Sequence, residues 1–168
     1  MTRSNERSAR TVTQRDVFSP VGAPEVRQTG RRLRCPVAAT LGIVGDRWTL
    51  QIVRDLLRGK TRFGQLSESV EGIPPAVLTK RLRLLEAHGI VVRHRYSDHT
   101  QRFEYVLTQK GHGLGVIVGA LSSWGERYLE HDVGLVDEEC GHGLTVVYHC
   151  PICAREAPRR RVRMVQQG

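Results

Sequence analysis

The order of the apolar patterns between residues 35 and 129 is the feature that most limits the fold. Four short segments with the apolar spacing of a helix come first, two β-branched and aromatic stretches follow, and a longer helical pattern ends the region. We expect helices over 36–44, 46–59, 62–70 and 75–88, strands over 90–96 and 102–107, and a last helix over 108–129. This order predicts a mainly α fold with a small β-hairpin, as in a winged helix-turn-helix.

The segments on either side of this region lack a comparable pattern. Residues 1–34 are rich in Arg, Ser and Thr and contain Pro20 and Pro24, so we expect a disordered basic arm. Residues 130–168 form a short tail, rich in cysteine and histidine. Since 168 residues are too few for two full-sized cores, we expect a single core, within 35–129.

The charge balance indicates a polyanionic partner. Lysine and arginine outnumber aspartate and glutamate by 26 to 17, a formal net charge of +9, which suits either nucleic acid or an anionic membrane surface. No apolar run approaches the roughly 20 residues of a membrane span, and the N-terminus lacks the apolar part of a secretory signal. We therefore expect a cytoplasmic protein with reduced thiols and no membrane partner.

The sequence shows no catalytic constellation. No Ser-His-Asp set, pair of carboxylates or phosphate-binding glycine loop lies where a fold would assemble it. We therefore expect that the protein is not an enzyme.

The fourth predicted helix has two chemically different faces. One face carries three leucines spaced for burial, Leu78, Leu82 and Leu85. The opposite face carries small, polar and basic residues: Ala76, Thr79, Lys80 and Arg83. Such side chains read base edges or bind phosphates in a major groove, but solvated helix faces also carry them. The helix alone leaves both interpretations open.

The predicted hairpin that follows is also basic. Arg93, Arg95 and Arg102 flank a polar tip that contains His99. A wing uses such residues to contact phosphates or the minor groove, whereas a purely structural hairpin needs no three arginines. Helix and hairpin together favour binding to double-stranded DNA. The alternative is a zinc-stabilised adaptor that binds protein through its winged helix.

Residues 35–129 resemble the HxlR-type family of helix-turn-helix regulators. The landmarks that carry the resemblance are Cys35-Pro36, Gly45-Asp46-Arg47-Trp48-Thr49, Arg62-Phe63, Leu78-Thr79-Lys80-Arg81-Leu82, Tyr105-Val106-Leu107-Thr108 and Lys110-Gly111. The resemblance implies a dimeric winged-helix fold, MarR-like relatives, and a role as repressor or activator of transcription. Two recognition helices related by a two-fold axis predict a palindromic operator.

The same resemblance implies roles for individual residues. The recognition-helix positions are Ala76, Thr79, Lys80 and Arg83. The wing positions are Arg95, His99 and Arg102. Dimer contacts fall on the first and last helices and include Leu114, Ile117, Leu121 and Trp124. Trp48 is expected in the core.

Cys35 occupies the position at which several members of this family carry a redox-sensing cysteine. Sensing requires a thiolate, and Arg31, Arg32 and Arg34 are cations close in sequence. The alternative is a partly buried cysteine that only packs. The sequence leaves both interpretations open, and with them a redox or small-molecule effector.

The tail contains a second group of thiols. Cys150-Pro151-Ile152-Cys153 has the spacing of a zinc knuckle, and Cys140 with His142 would complete a Cys3His site, with His149 as an alternative fourth ligand. A tail this small cannot build a core of its own, so a metal could supply the folding energy that burial does not. We expect one structural zinc per chain and no other cofactor. A thiol-disulfide enzyme site is disfavoured, because no βαβ pattern surrounds the CxxC; reduced, metal-free thiols remain the alternative.

Overall fold

The fold was analysed in a computed structural model, which describes residues 35–95, 102–131 and 133–165. Its elements are α1 Pro36–Val44, α2 Thr49–Leu57, α3 Phe63–Ser69, α4 Pro75–Ala87, β1 Val91–Arg95, β2 Phe103–Leu107, α5 Gln109–His112, α6 Gly115–Tyr128, β3 Tyr148–Cys150, β4 Arg155–Ala157 and a 3-10 turn at Arg159–Arg161. The predicted class, mainly helical with a small antiparallel hairpin, is confirmed. The predicted arm at 1–34 lies outside the described residues.

The start of α2 is set by the carboxylate of Asp46. Its Oδ1 accepts the backbone N–H groups of Trp48 at 2.9 Å and Thr49 at 3.2 Å, and its Oδ2 accepts the Thr49 hydroxyl. The carboxylate thereby pairs helix N–H groups that have no partner within the helix. Asp46 was predicted to cap this helix, and it does so from two residues before the formal cap position, Trp48.

The core lies where α2, α3, α4 and the β1–β2 hairpin meet. Its buried members are aliphatic: Ile52, Val53, Leu56, Leu66, Val70, Ile73, Leu78, Leu82, Leu85, Ile90, Val91 and Leu107. Trp48 packs against this cluster, as predicted, and the guanidinium of Arg47 lies 4.4 Å above its ring. Burial thus explains the spacing of Leu78, Leu82 and Leu85 in α4.

The hairpin is joined to α4 by a short, hydrogen-bonded connection. Gly89 follows the helix with φ +62°, the left-handed conformation expected of a helix-ending glycine. The Thr108 hydroxyl, after β2, donates to the Gly89 carbonyl at 2.7 Å. Within the hairpin the register runs from Val91 opposite Leu107 to Arg95 opposite Phe103. The base of the hairpin is therefore fixed at the end of α4.

The predicted last helix is two helices, which corrects the sequence expectation of one continuous helix over 108–129. The break follows from Gly111, which is buried so closely against Ile90 that a Cβ atom there would overlap the Ile90 carbonyl oxygen. This contact packs α5 against the base of the hairpin. The chain becomes helical again in α6, which follows Gly113 and Leu114. Leu114 and Val118 then pack on the core.

The tail adds a second small hairpin and lies against α6. β3 pairs antiparallel with β4, with Cys150 opposite Arg155. The backbone N–H of Leu135 donates to Glu126 Oε1 of α6 at 2.8 Å. Gly119 of α6 lies where an added Cβ would be 3.5 Å from Leu135 and 3.9 Å from Val146. The absence of a side chain at Gly119 thus leaves room for the tail.

The first prediction concerns Asp46. Asp46→Ala removes the acceptor for two backbone N–H groups, so we expect it to lower the free energy of unfolding by about 1–2 kcal/mol. Glu71→Gln, at an exposed position outside these contacts, should change it by less than about 0.5 kcal/mol. Denaturant unfolding measures both. An equal effect of the two substitutions would contradict the role of Asp46.

The pH dependence of this effect has a fixed sign. Burial raises the pKa of Asp46, but the hydrogen bonds from Thr49 and Trp48 and the charge of Arg81 together bring it below its ordinary value. A depressed folded-state pKa means that the carboxylate stabilises the fold above about pH 4 and that this contribution is lost at lower pH. The stability difference between the native protein and Asp46→Asn should therefore shrink as pH falls below about 4.

Candidate nucleic-acid interface

The helix-turn-helix consists of α3, the turn over 70–74 and α4. Pro74 and Pro75 begin α4 with the fixed backbone angle that suits a first turn. Leu78, Leu82 and Leu85 are at most 1% exposed, which fixes the rotation of α4 about its own axis. The opposite side of α4 is consequently directed away from the core.

The four predicted recognition residues lie on that outer side of α4. Ala76, Lys80 and Arg83 are exposed, and Thr79 is half-buried. The Thr79 hydroxyl donates to the Pro75 carbonyl at 2.9 Å, so its oxygen keeps lone pairs for an external donor. Two cations, a hydroxyl and a methyl group on one side of a helix are side chains of the kind that bind phosphates and contact base edges.

The wing is held beside α4 by Arg93. Its Nε lies 3.7 Å from Glu86 Oε1 of α4, and its guanidinium lies 4.3 Å from the centre of the Phe103 ring. These contacts pair Arg93, one of the three arginines that flank the predicted hairpin tip, within the chain. Arg93 is therefore a residue that positions the hairpin against the helix.

The far end of the hairpin carries the other predicted wing residues. Arg95, the last residue of β1, and Arg102, which directly precedes β2, are both exposed. His99 lies outside the described residues. The structure thus places two of the three predicted wing residues at the distal end of the hairpin.

A second attachment, which no pattern in the sequence predicted, joins the wing to the start of α3. The backbone N–H of Tyr105 donates to the Thr61 carbonyl at 2.8 Å. Beside it, Arg62 Nε donates to Glu104 Oε1 at 3.1 Å. Arg62 and Glu104 are 42 residues apart in the sequence, so a local pattern does not predict their contact. The hairpin is thereby tied to both helices of the helix-turn-helix.

Charged groups of α4 and the wing lie near the half-buried Tyr105. Burial raises the pKa of Tyr105 above its ordinary value, while the nearby charges of Arg93 and Arg83 oppose this rise and Glu86 adds to it. Arg83 of α4 and Arg93 of β1 are therefore both close to the same side chain of β2.

Arg81 shows that not every cation of α4 faces outward. Its Nη1 lies 3.2 Å from Asp46 Oδ2, and its side chain is 26% exposed. Arg81 therefore serves the packing of α4 on the start of α2. The spacing of α4 separates it from Lys80 and Arg83, which explains its absence from the predicted recognition set.

The faces of α1 and α6 leave large apolar side chains uncovered. Exposure reaches 57% at Leu41 of α1, 53% at Leu121 and 52% at Trp124 of α6. Of the other predicted dimer residues, Ile117 is half-buried and Leu114 packs on the core of its own chain. Apolar exposure on this scale is typical of an association surface.

Cys35 is exposed and directly precedes α1. Its sulfur makes no capping hydrogen bond to that helix. The arginines proposed as its activating neighbours, Arg31, Arg32 and Arg34, lie outside the described residues. The interpretation of Cys35 as a buried packing residue is not supported by this exposure.

The predicted metal ligands Cys140, His142, Cys150 and Cys153 are only partly assembled. Cys150 and Cys153 share the turn between β3 and β4, whereas Cys140 and His142 lie in a separate turn. Across residues 35–95, 102–131 and 133–165, no three His, Cys, Asp or Glu side chains converge as metal ligands. The zinc site stays a prediction. Over the same ranges, no helix has the length and apolar character of a membrane span.

Comparison with known proteins connects this geometry to a family. The profile of the HxlR-like helix-turn-helix family matches residues 43–133. The HTH-type transcriptional regulator Rv3095 of Mycobacterium tuberculosis is 38% identical over 130 residues, which are 75% of this chain and 82% of that protein. YybR of Bacillus subtilis, also an HTH-type transcriptional regulator, is 38% identical over 92 residues, 55% of this chain and 74% of YybR.

Two solved structures extend the comparison. PA1607, assigned as a transcription factor, has a TM-score of 0.71 and 32% identity, and the match covers 81% of this chain and 97% of PA1607. The redox regulator HypR, in its oxidised form, has a TM-score of 0.53 and 37% identity, and the match covers 59% of this chain and all of HypR.

Proposed function

Because the chain belongs to the HxlR-like helix-turn-helix family, a family of transcriptional regulators with a DNA-binding fold, we propose that it is a homodimeric, sequence-specific regulator of transcription. In this proposal α4 enters the major groove and the wing contacts the phosphate backbone beside it. The observation that carries the proposal is the outer side of α4, where Lys80 and Arg83 are exposed opposite three fully buried leucines. Charged side chains held on a helix of fixed rotation suit a groove better than a flexible patch would.

In this proposal α4 and the wing have different roles. Thr79, Lys80 and Arg83, with the small Ala76 allowing close approach, would discriminate bases, because α4 is the element that fits the major groove. Arg95, Arg102 and the predicted His99 would bind phosphates, which adds salt-dependent affinity and sets the register. Two copies related by a two-fold axis would read a palindromic operator with half-sites about 34–36 Å apart.

The first test is binding of fluorescent duplexes by anisotropy at two salt concentrations. We expect the protein to prefer a duplex from the region upstream of its own gene over a scrambled duplex, and to lose affinity as salt rises. A protein-binding adaptor would bind both duplexes weakly and equally. If a wider set of genomic duplexes gave that result as well, the proposed function would be wrong.

Substitutions on α4 sharpen this test. We expect Arg83→Ala and Lys80→Ala each to weaken specific binding by about 1–3 kcal/mol if they touch a base, or to lower the salt slope by about one if they touch a phosphate. Arg58→Ala removes an exposed cation after α2, outside the interface, and should have neither effect. If Lys80→Ala and Arg83→Ala bound like Arg58→Ala, α4 would not be the reading element.

We propose that the uncovered faces of α1 and α6 form the dimer interface with a second copy. Leu121→Asp places a charge in that face and should convert the dimer into a monomer, because burying an unpaired carboxylate is unfavourable. Val133→Asp, at a site that is 73% exposed on the tail, is the matched control. Sedimentation velocity measures both. A native protein that sediments as a monomer, or a dimeric Leu121→Asp, would exclude this interface.

We further propose that Cys35 senses thiol oxidants. Its exposure supports access, and the likeness of the fold to the redox regulator HypR supports the type of signal. A mild thiol oxidant should weaken DNA binding by the native protein and leave Cys35→Ser unaffected. The tail cysteines are intact in both proteins, so they serve as an internal control. Equal loss of binding in the two proteins would remove Cys35 from the response.

A further inference from the structure

The turn between β3 and β4 brings two thiols to one end of a hairpin. Cys150 is the last residue of β3, and Cys153 lies two residues before the start of β4. Ala154, which separates Cys153 from β4, has φ +48°. This left-handed residue reverses the chain directly after the second thiol. Residues 151–154 form this turn, and Cys150 is paired with Arg155 across the hairpin. The turn therefore places both cysteines at the same end of the hairpin.

Both cysteines of this turn can be reached from solvent. Cys153 is exposed and Cys150 is half-buried, so a cation has access to both sulfurs. Two cysteines on one turn provide half of a tetrahedral thiolate site.

A second turn presents the other two predicted ligands. Asp137 Oδ1 accepts the N–H groups of Glu139 at 3.0 Å and Cys140 at 2.9 Å, and the Gly141 N–H donates to the Asp137 carbonyl at 2.9 Å. Gly141 has φ +71° and separates Cys140 from His142, both exposed. The turn is closed by the Val136–Gly143 bridge. Cys140 and His142 are thus carried on a defined turn of their own.

The tail lacks the burial that would hold these two turns in place. Over residues 133–165, each side chain is exposed or half-buried, while the winged-helix region has a closed aliphatic core. Ile152, at the tip of the β3–β4 turn, is 93% exposed. Segments without a core gain their stability from cross-links or metals. The tail contains four candidate ligands and no disulfide among its described cysteines.

We propose that Cys150 and Cys153 are the preformed half of a zinc site, which Cys140 and His142 complete when the two turns close around the ion. Binding is therefore coupled to a rearrangement of the tail, which accounts for the incomplete assembly of the four ligands. In this proposal the two cysteines of the β3–β4 turn contribute more to zinc binding than Cys140 and His142 do. The two sulfurs of the β3–β4 turn capture the ion, and the turn over 137–142 then closes on it. The inference is independent of DNA binding.

The test uses the full-length, reduced protein with Zn²⁺ and with Co²⁺ as a spectroscopic probe. We expect about one zinc per chain after purification without chelators, and a sulfur-to-cobalt charge-transfer band on titration of the metal-free protein. Cys150→Ser and Cys153→Ser should abolish tight binding, and Cys140→Ser should weaken the band. Cys35→Ser removes an exposed thiol far along the chain from the tail and should leave metal content and band unchanged.

Separate measurements keep the outcome clear. Helix content by circular dichroism should be unchanged in all four variants, because the core lies outside the tail, so loss of metal would not reflect global unfolding. His142→Ala should weaken zinc binding more than His149→Ala; the reverse order would overturn the assignment of the fourth ligand. Metal well below one per chain, together with no charge-transfer band, would overturn the site itself.

Discussion

Asp46 connects the beginning of α2 with the helix that carries the candidate interface. It pairs the N–H groups of Trp48 and Thr49, it accepts from the fully buried Thr49, and it lies 3.2 Å from Arg81 of α4. Arg81 directly follows Lys80 in the chain, so one side chain of α4 is tied to α2 while its neighbour faces solvent. The leucines set the rotation of α4, and the Asp46–Arg81 pair limits how far it slides along the core. The outer side of α4 is held in a fixed orientation because both constraints act on the same helix.

The wing depends on α4 in turn. The base of the wing is fixed by the hydrogen bond from the Thr108 hydroxyl to Gly89 and by the packing of Gly111 against Ile90. On its outer face, Arg93 forms an ion pair with Glu86 of α4 and lies over the Phe103 ring. The main-chain bond from Tyr105 to Thr61 adds a tie to α3. Exposed ion pairs contribute little stability individually. Arranged on two sides of one hairpin, they instead restrict its orientation, which is what a phosphate contact beside a groove requires.

Local patterns in the sequence predicted most of this arrangement. The leucine spacing of α4, the glycine after it and the Asp46 cap are features within one or two turns of chain, and each is present in the structure. The break between α5 and α6 was not predicted, because it arises from a contact between Gly111 and Ile90, which a helical pattern does not reveal. Among basic residues, the sequence does not separate Arg93, which is paired within the chain, from Lys80 and Arg83. That difference depends on which acidic side chain the fold brings near. His99 and the arginines before Cys35 are judged only from the sequence.

The three sides of α6 connect the parts of the molecule that local patterns treat separately. On one side, Leu114 and Val118 pack on the core. On a second side, Gly119 and Glu126 contact the tail. On a third side, Leu121 and Trp124 are exposed. At 100° per residue these sides are distinct, with the core side between the other two. A second copy on the uncovered side and the tail on its own side therefore occupy the helix together without competing.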